Sequence, residues 1–342
     1  MAVMLKDIAE KAHVSPTTVS LVLNPQSKHR ISDKTKQRVL EVAKDLGYRP
    51  EEKKSQPPQK AMISDIPLSI GLVISNITNP FFTELARVIE DVASYYGYSI
   101  ILCNTQKSLE KESEFLEILG RRKVNGVIMA PAHSRESNLE NFLKQNIPLV
   151  FVDRCAEQTE ASAVLIDNVK GAYMAVDHLL RLGHARIGII AGLTSTGEDR
   201  LQGYLNALND HRIAIDESLI QVNDFSIESG RQATNALLGL SHPPTALFSS
   251  AGLVTAGVLL ELKEQQIKIP DDLSFVSFDD HIWVQLMDPP LTVVAQPIAE
   301  IGKEATQLMV QLIQGWRKMK PQKIVLEPQL IIRKSCAQYS DS

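Results

Sequence analysis

Ser15, Pro16, Thr17, Thr18 and Ser20 fall within six consecutive residues, with Lys6 before them and His29 after. Short hydroxyl side chains at the start of a helix can donate to phosphate oxygens and base edges without blocking approach to a duplex groove. The surrounding pattern supplies such a helix. Ser15 is a good N-cap, and Pro16 then takes the first helical position, where its missing N–H costs nothing. Ile8, Ala9 and Ala12 form one apolar stripe, and Val19, Val22 and Leu23 form a second. Residues 5–24 therefore read as two short helices joined by a tight turn, the layout that lays a second helix in the major groove of DNA. A third helix reads over 32–46, capped by Ser32, with Val39, Val42, Ala43 and Leu46 turned inward.

Charge is divided in the way such a head requires. Residues 1–60 carry 12 Lys and Arg against 7 Asp and Glu, and the remainder carries 24 against 33. A basic head on an acidic body suits a molecule that meets phosphates at one end, although a solvated charged face would look similar. At 342 residues and 44% hydrophobic content, the chain is long enough for two or three domains with a sizeable core. No apolar run reaches the roughly eighteen residues of a membrane span, and the first residues do not form a signal peptide. Cys103, Cys155 and Cys336 stand far apart, which suits a reducing cytoplasm.

Residues 49–67 are polar and proline-punctuated and read as a linker. Beyond it, apolar runs at 68–75, 98–104, 124–130, 148–153, 163–167, 186–191, 219–222, 245–250 and 273–279 read as strands. They alternate with helical patterns near 80–96, 109–122, 137–145, 168–182, 198–211, 228–239, 252–266 and 297–314. Such alternation implies parallel sheets covered on both faces, and so many strands imply two α/β subdomains.

The sequence shows no arrangement expected of an enzyme. The eight histidines are scattered without metal-ligand spacing, and neither a nucleophile elbow nor a phosphate-cradling glycine loop is present. Asp279-Asp280 is a carboxylate pair, but neighbours at a strand end point apart, so one is expected as a ligand acceptor and the other as solvated. No cofactor or metal is expected.

The head, ending in Leu46-Gly47-Tyr48-Arg49-Pro50, resembles that of the lactose-repressor/galactose-repressor (LacI/GalR) family of bacterial transcription regulators. The body resembles the periplasmic sugar-binding fold of the same family. The resemblance is carried by Ile70-Gly71-Leu72-Val73-Ile74, Asn79-Pro80-Phe81-Phe82, Asn125-Gly126-Val127-Ile128, Val152-Asp153-Arg154, Asp167-Asn168, Leu182-Gly183-His184 and Gln296-Pro297. It implies an α/β protein with an N-terminal all-α helix-turn-helix headpiece (1–48), a hinge (49–67) and a two-subdomain periplasmic-binding-protein-like core with parallel sheets (68–342). The N-subdomain is expected at about 68–165 and 291–328, and the C-subdomain at about 166–290 and 329–342. Chain crossings are expected near 165, 290 and 328.

The resemblance assigns base reading to Pro16, Thr17 and Leu21, none of which can make a bidentate base contact. Thr17 offers a hydroxyl and a methyl; Leu21 offers only apolar contact, or else packs inside the head. Affinity is thus expected to lean on phosphate contacts from Lys6, Ser15, Thr18, Ser20 and His29, with Asn24 and Tyr48 completing the DNA-facing set. The hinge departs from the family. Relatives carry a short helix with an Ala-x-x-Leu wedge, whereas here Lys54 and Pro57 stand at those positions and Pro57-Pro58 forbids a helix.

For the cleft, the resemblance points to Asn79, Phe81, Asp153, Arg154, Arg200, Phe225, Asp279 and Gln296, with Phe82 weighed as core. Aromatic rings stack on a sugar, and charged groups at strand ends bond its hydroxyls. Where relatives carry an Asn/Asp pair, this chain has Ala251-Gly252, which removes an acceptor; Ser249, Ser250 and Gln296 are the candidates to replace it. The implied function is a repressor binding a near-palindromic operator of double-stranded DNA as a homodimer, tuned by a sugar or related metabolite. Control by a protein partner and a sugar-binding transport protein are the alternatives.

Overall fold

The computed structural model describes residues 8, 9, 11, 12, 14, 19, 22, 33–46, 68–135, 139–157, 159–315 and 320–339. The chain divides into two units, Met1–Asp65 and Ile66–Ser342.

In the first unit, Ile8, Ala9, Ala12, Val19, Val39 and Ala43 form a buried cluster, with Val14, Val22, Val42 and Leu46 packed around it. These are the inward positions of the helical pattern, and helix α1 (Asp33–Asp45) carries three of them. Leu23 lies outside the described residues.

In the second unit, short aliphatic runs bounded by turn residues become buried parallel strands. They are β1 (Ser69–Ile74), β2 (Ser99–Asn104), β3 (Gly126–Met129), β4 (Leu149–Val152), β5 (Ser162–Ile166), β6 (Ile187–Gly192), β7 (Ile220–Asn223), β8 (Ala246–Ser249), β9 (Ser274–Phe278), β10 (Thr292–Ala295), β11 (Lys323–Leu326) and β12 (Gln329–Ile331). Between them lie α2 (Pro80–Tyr95), α3 (Leu109–Arg121), α4 (Glu140–Leu143), α5 (Asn168–Arg181), α6 (Ser195–Asp210), α7 (Ile227–Leu238), α8 (Gly252–Glu264), α9 (Ile282–Gln285) and α10 (Ile298–Ile313).

The strands form two six-stranded sheets, ordered β11-β5-β4-β3-β1-β2 and β12-β10-β9-β8-β6-β7. Every pairing is parallel except β10 with β12. Each half thus repeats one strand order, with β1 to β5 matched by β6 to β10.

The chain passes from the first sheet to the second between β5 and α5, returns between β10 and α10, and passes over again between β11 and β12. The expected crossing near 290 is therefore corrected to 296–297. Thr292–Ala295 pairs with β9 and β12 and belongs to the second sheet, not to the N-subdomain segment that was to begin at 291. The edge and hinge strands β10, β11 and β12 were not read individually from the sequence; they lie in 292–331, beyond the regular strand–helix alternation that marks β1 to β9.

Ile70, Leu72, Ile128 and Val150 of the first sheet and Ile189, Phe248, Val276 and Phe278 of the second are fully buried or nearly so. Each such side chain contributes about 1.5–3 kcal/mol by leaving water. The paired cores hold the carboxyl ends of the strands in fixed positions, and ligands bind at those ends in open α/β sheets.

Candidate functional site

Two side chains define the cleft by their backbone as much as by their charge. Asp153 follows β4 and Asp279 follows β9, the matching strand of the other half, and both hold positive φ, +66° and +78°. Non-glycine residues with positive φ are uncommon, and such strain collects at functional sites.

Asp279 is held from two sides. Its Oδ1 accepts from the Gln296 amide at 2.6 Å, and its Oδ2 accepts from the Gly252 backbone N–H at 3.2 Å. Gly252 opens α8, whose N-cap residue Ala251 makes no side-chain cap bond. The carboxylate from the neighbouring strand supplies the missing cap. Glycine is required there because a Cβ would strike the His281 ring. The cap acceptor absent from Ala251 is thus provided by Asp279. Of the three residues considered as replacements, Gln296 bonds Asp279, Ser249 bonds the Ala251 carbonyl and accepts from Thr255, and the buried Ser250 Oγ has no partner among the described residues.

Arg200 reaches from α6 into the same space and is 4% exposed. Its Nε donates to Asn168 at 2.8 Å, its Nη1 donates to the Ser250 carbonyl at 2.5 Å, and its guanidinium lies 3.6 Å above the Phe278 ring centre. Burial pulls its pKa down, and the Asp279 and Asp153 carboxylates oppose that pull.

Asp153 is held more loosely. Its Oδ2 lies 3.5 Å from Arg154 Nε, while Arg154 Nη2 donates to Ser75 at 2.9 Å. Burial raises the Asp153 pKa first; Arg154 and Arg200 lower it, and Asp279 raises it again.

The structure brings Asn79, Phe81, Asp153, Arg154, Arg200, Phe225, Asp279 and Gln296 to one cavity of about 50 Å3 between the halves. Asn79 also serves locally: its Oδ1 caps α2 by accepting from the Phe81 N–H at 3.1 Å. Phe82 packs edge-on against Phe81 with ring centres 5.0 Å apart and lines the same cavity while remaining core. Phe225 presses against Gly192, where any Cβ would collide with its ring.

Asp280 is not solvated as expected. It pairs with Arg333 at 2.7 Å and is mostly buried.

Sequence reasoning missed Ser75, Asn76, Lys107, Thr196 and Leu253, which share the cavity. Ser75, Asn76 and Lys107 stand just past the carboxyl ends of β1 and β2, so the strand-end rule could have found them. A second cavity, about 330 Å3, adjoins the first and shares Lys107, Arg154 and Phe225 with it.

Lys6, Ser15, Pro16, Thr17, Thr18, Ser20, Leu21, Asn24, His29 and Tyr48, and the linker 49–67, lie outside the described residues. Among the described residues, no helix is long and apolar enough to cross a membrane, and no group of three His, Cys, Asp or Glu could hold a metal.

Residues 4–51 match the model of bacterial regulatory proteins of the lacI family, and residues 176–336 match the model of a periplasmic binding protein-like domain. The class these findings define is a helix-turn-helix regulator with a periplasmic-binding-protein-like body. The HTH-type transcriptional regulator DegA of Bacillus subtilis is 38% identical over 340 residues, covering 98% of each chain. The HTH-type transcriptional repressor CytR of Escherichia coli is 34% identical over 339 residues, covering 98% of this chain and 96% of the other. Among solved structures, a complex of the transcriptional regulator CelR with cellobiose superposes with a TM-score of 0.72 at 28% identity, covering 97% of this chain and 99% of that one. A LacI family transcriptional regulator from Enterococcus faecium with bound ribose gives a TM-score of 0.72 at 31% identity, covering 80% and 100%. The chain belongs to the LacI family of bacterial transcription regulators. These relatives are regulators, not enzymes.

Proposed function

We propose that the protein represses transcription by binding a near-palindromic operator as a homodimer, and that a sugar or related metabolite in the cleft alters that binding. The observation that carries the effector half is the convergence of Asp153 and Asp279, one from each half, on a cavity that Arg200 and Phe225 also line. A ligand that bonds both carboxylates ties the halves together and favours one relative orientation of them. Its hydroxyl takes the place of the Gln296 amide on Asp279, while Asp153, with fewer bonds of its own, accepts directly.

The DNA half rests on the family and on the head's basic, hydroxyl-rich edge. Residues 1–48 form the headpiece in this reading. Lys6, Ser15, Thr18, Ser20, Asn24, His29 and Tyr48 meet the backbone, while Pro16, Thr17 and Leu21 meet base edges. The hinge at 49–67, with Pro57-Pro58 and no apolar wedge, kinks its operator less than a helical hinge would.

Selection of binding sites from random DNA tests the first half. The intact chain is expected to enrich a palindromic site, a chain lacking 1–48 is expected to enrich nothing, and Leu21→Arg is expected to shift the preferred bases. Enrichment by the truncated chain sinks this reading. Titration calorimetry of the intact chain against neutral sugars tests the second half, and an absence of heat with every sugar leaves control by a protein partner as the reading to pursue.

A further inference from the structure

The two adjoining cavities differ in kind. In the inner one, at about 50 Å3, most polar groups bond one another or nearby backbone: Asp279 with Gln296 and Gly252, Arg200 with Asn168 and Ser250, and Arg154 with Ser75. Clefts that take a whole small molecule hold on the order of 300–1,000 Å3. The outer chamber, at about 330 Å3, reaches that range and the inner cavity does not.

The charged lining of the outer chamber is mixed. Lys107, Arg135 and Arg154 stand against Glu157, Glu198 and Asp224, so the formal charges cancel. An anion would meet as many repelling as attracting groups, whereas the hydroxyls of a neutral sugar find both donors and acceptors. Arg154 is 6% exposed, and its Nε has no hydrogen-bond partner among the described residues. Burial lowers the pKa of Lys107, and Asp224, facing it from the other half, raises it. Phe225 lines both cavities and offers an aromatic face at their junction.

The walls are held in place. Glu112, fully buried on α3, accepts the Ala132 N–H at 2.5 Å and anchors the segment that carries Ser134 and Arg135. That segment bridges to the other half through Ser134 and Ser195 at 2.6 Å and through Arg135 and Glu198 at 2.9 Å.

We infer that the outer chamber houses the body of the effector, and that the effector is a neutral oligosaccharide of at least two rings. One end reaches Asp153 and Asp279 in the inner cavity. The second ring lies beyond Phe225, among Lys107, Glu157 and Asp224. This rests on the reading of the cleft as an effector site.

The test is titration calorimetry on the full chain with ribose, glucose, glucose 6-phosphate and a set of neutral disaccharides including cellobiose, maltose and lactose. At least one disaccharide is expected to bind tenfold or more tighter than glucose, the gain of about one hydrogen bond to a charged group. Glucose 6-phosphate is expected to gain nothing over glucose. Leu193→Trp places a large ring in the outer chamber from a position that is 71% exposed and absent from the inner lining, so the fold is little disturbed. It is expected to weaken the best disaccharide by roughly tenfold or more and to weaken glucose, which reaches less far into the outer chamber, by clearly less. Equal affinity for glucose and every disaccharide, tightest binding of glucose 6-phosphate, or an equal effect of Leu193→Trp on both ligand sizes would overturn the inference. No heat with any of these ligands would instead overturn the effector reading beneath it.

Discussion

The two halves of the core repeat one strand order and place an aspartate at the same point in each, yet they treat it differently. Asp279 of the second half is fixed by Gln296 and by the start of α8, and the first half gives Asp153 only a 3.5 Å approach from Arg154. Equivalent topology thus produces one acid that is part of the scaffold and one that is kept for something else. The difference comes from Ala251 and Gly252: without a cap side chain, α8 draws on the strand-end carboxylate beside it. Both oxygens of Asp279 are thus occupied by donors of the fold, whereas Asp153 keeps acceptor positions open.

Removing the cation that both acids share tests the comparison most severely. Arg200→Met removes the buried cation that acts on both acids, leaving Arg154 beside Asp153, and is expected to cost about 3–5 kcal/mol in urea unfolding. A loss under about 1 kcal/mol would show that the acids do not depend on it.

Next come the aspartates themselves. Asp279→Asn replaces two charge-assisted hydrogen bonds by neutral ones, with the Gln296 amide turned to present its oxygen, and is expected to cost about 1–3 kcal/mol. Asp153→Asn is expected to be neutral or stabilising at pH 7. Burial raises the Asp153 pKa above its ordinary 3.8, so the folded state holds that proton more tightly than the unfolded chain does. Stability therefore falls as pH rises from 3.8 to the raised value, and Asp153→Asn removes that decline. Urea melts of the variant and the parent across this range measure it, and equal losses for both substitutions would erase the distinction between the halves.

Gly252→Ala attacks the lock of the second half directly, by forcing its Cβ into the His281 ring, and is expected to cost about 1–3 kcal/mol in the same assay. The smallest effect is expected where the halves meet at the surface. Arg135→Ala removes a pair to Glu198 in which both side chains are more than half exposed, so it should change stability by less than about 1 kcal/mol.

Much of this molecule was open to reading from local pattern. Ile8, Ala9, Ala12, Val19, Val39 and Ala43 pack as their helical spacing requires, and the long helices lie within a few residues of the spans that apolar periodicity gives, α6 starting at Ser195 rather than 198 because its cap, Thr194, was not read. The resemblance carried by short motifs named eight cleft residues, and all eight line one cavity. What escaped was short or distant. β10 has four residues and joins the second sheet through partners at 274–278 and 329–331, so the crossing was misplaced. Asp280 was expected in solvent because its partner, Arg333, lies 53 positions along the chain.

Side-chain type and spacing were enough to specify most of the elements and the two-subdomain α/β architecture, because helix and strand periods are local properties, whereas the eight cleft residues named in advance came from the family resemblance. Whether each polar group in that cleft is engaged or free depends on pairings such as Gln296 with Asp279 and Asp279 with Gly252. Those pairings join residues from separate strands and helices, and no local spacing encodes a hydrogen bond between groups that only folding brings to 2.6 and 3.2 Å.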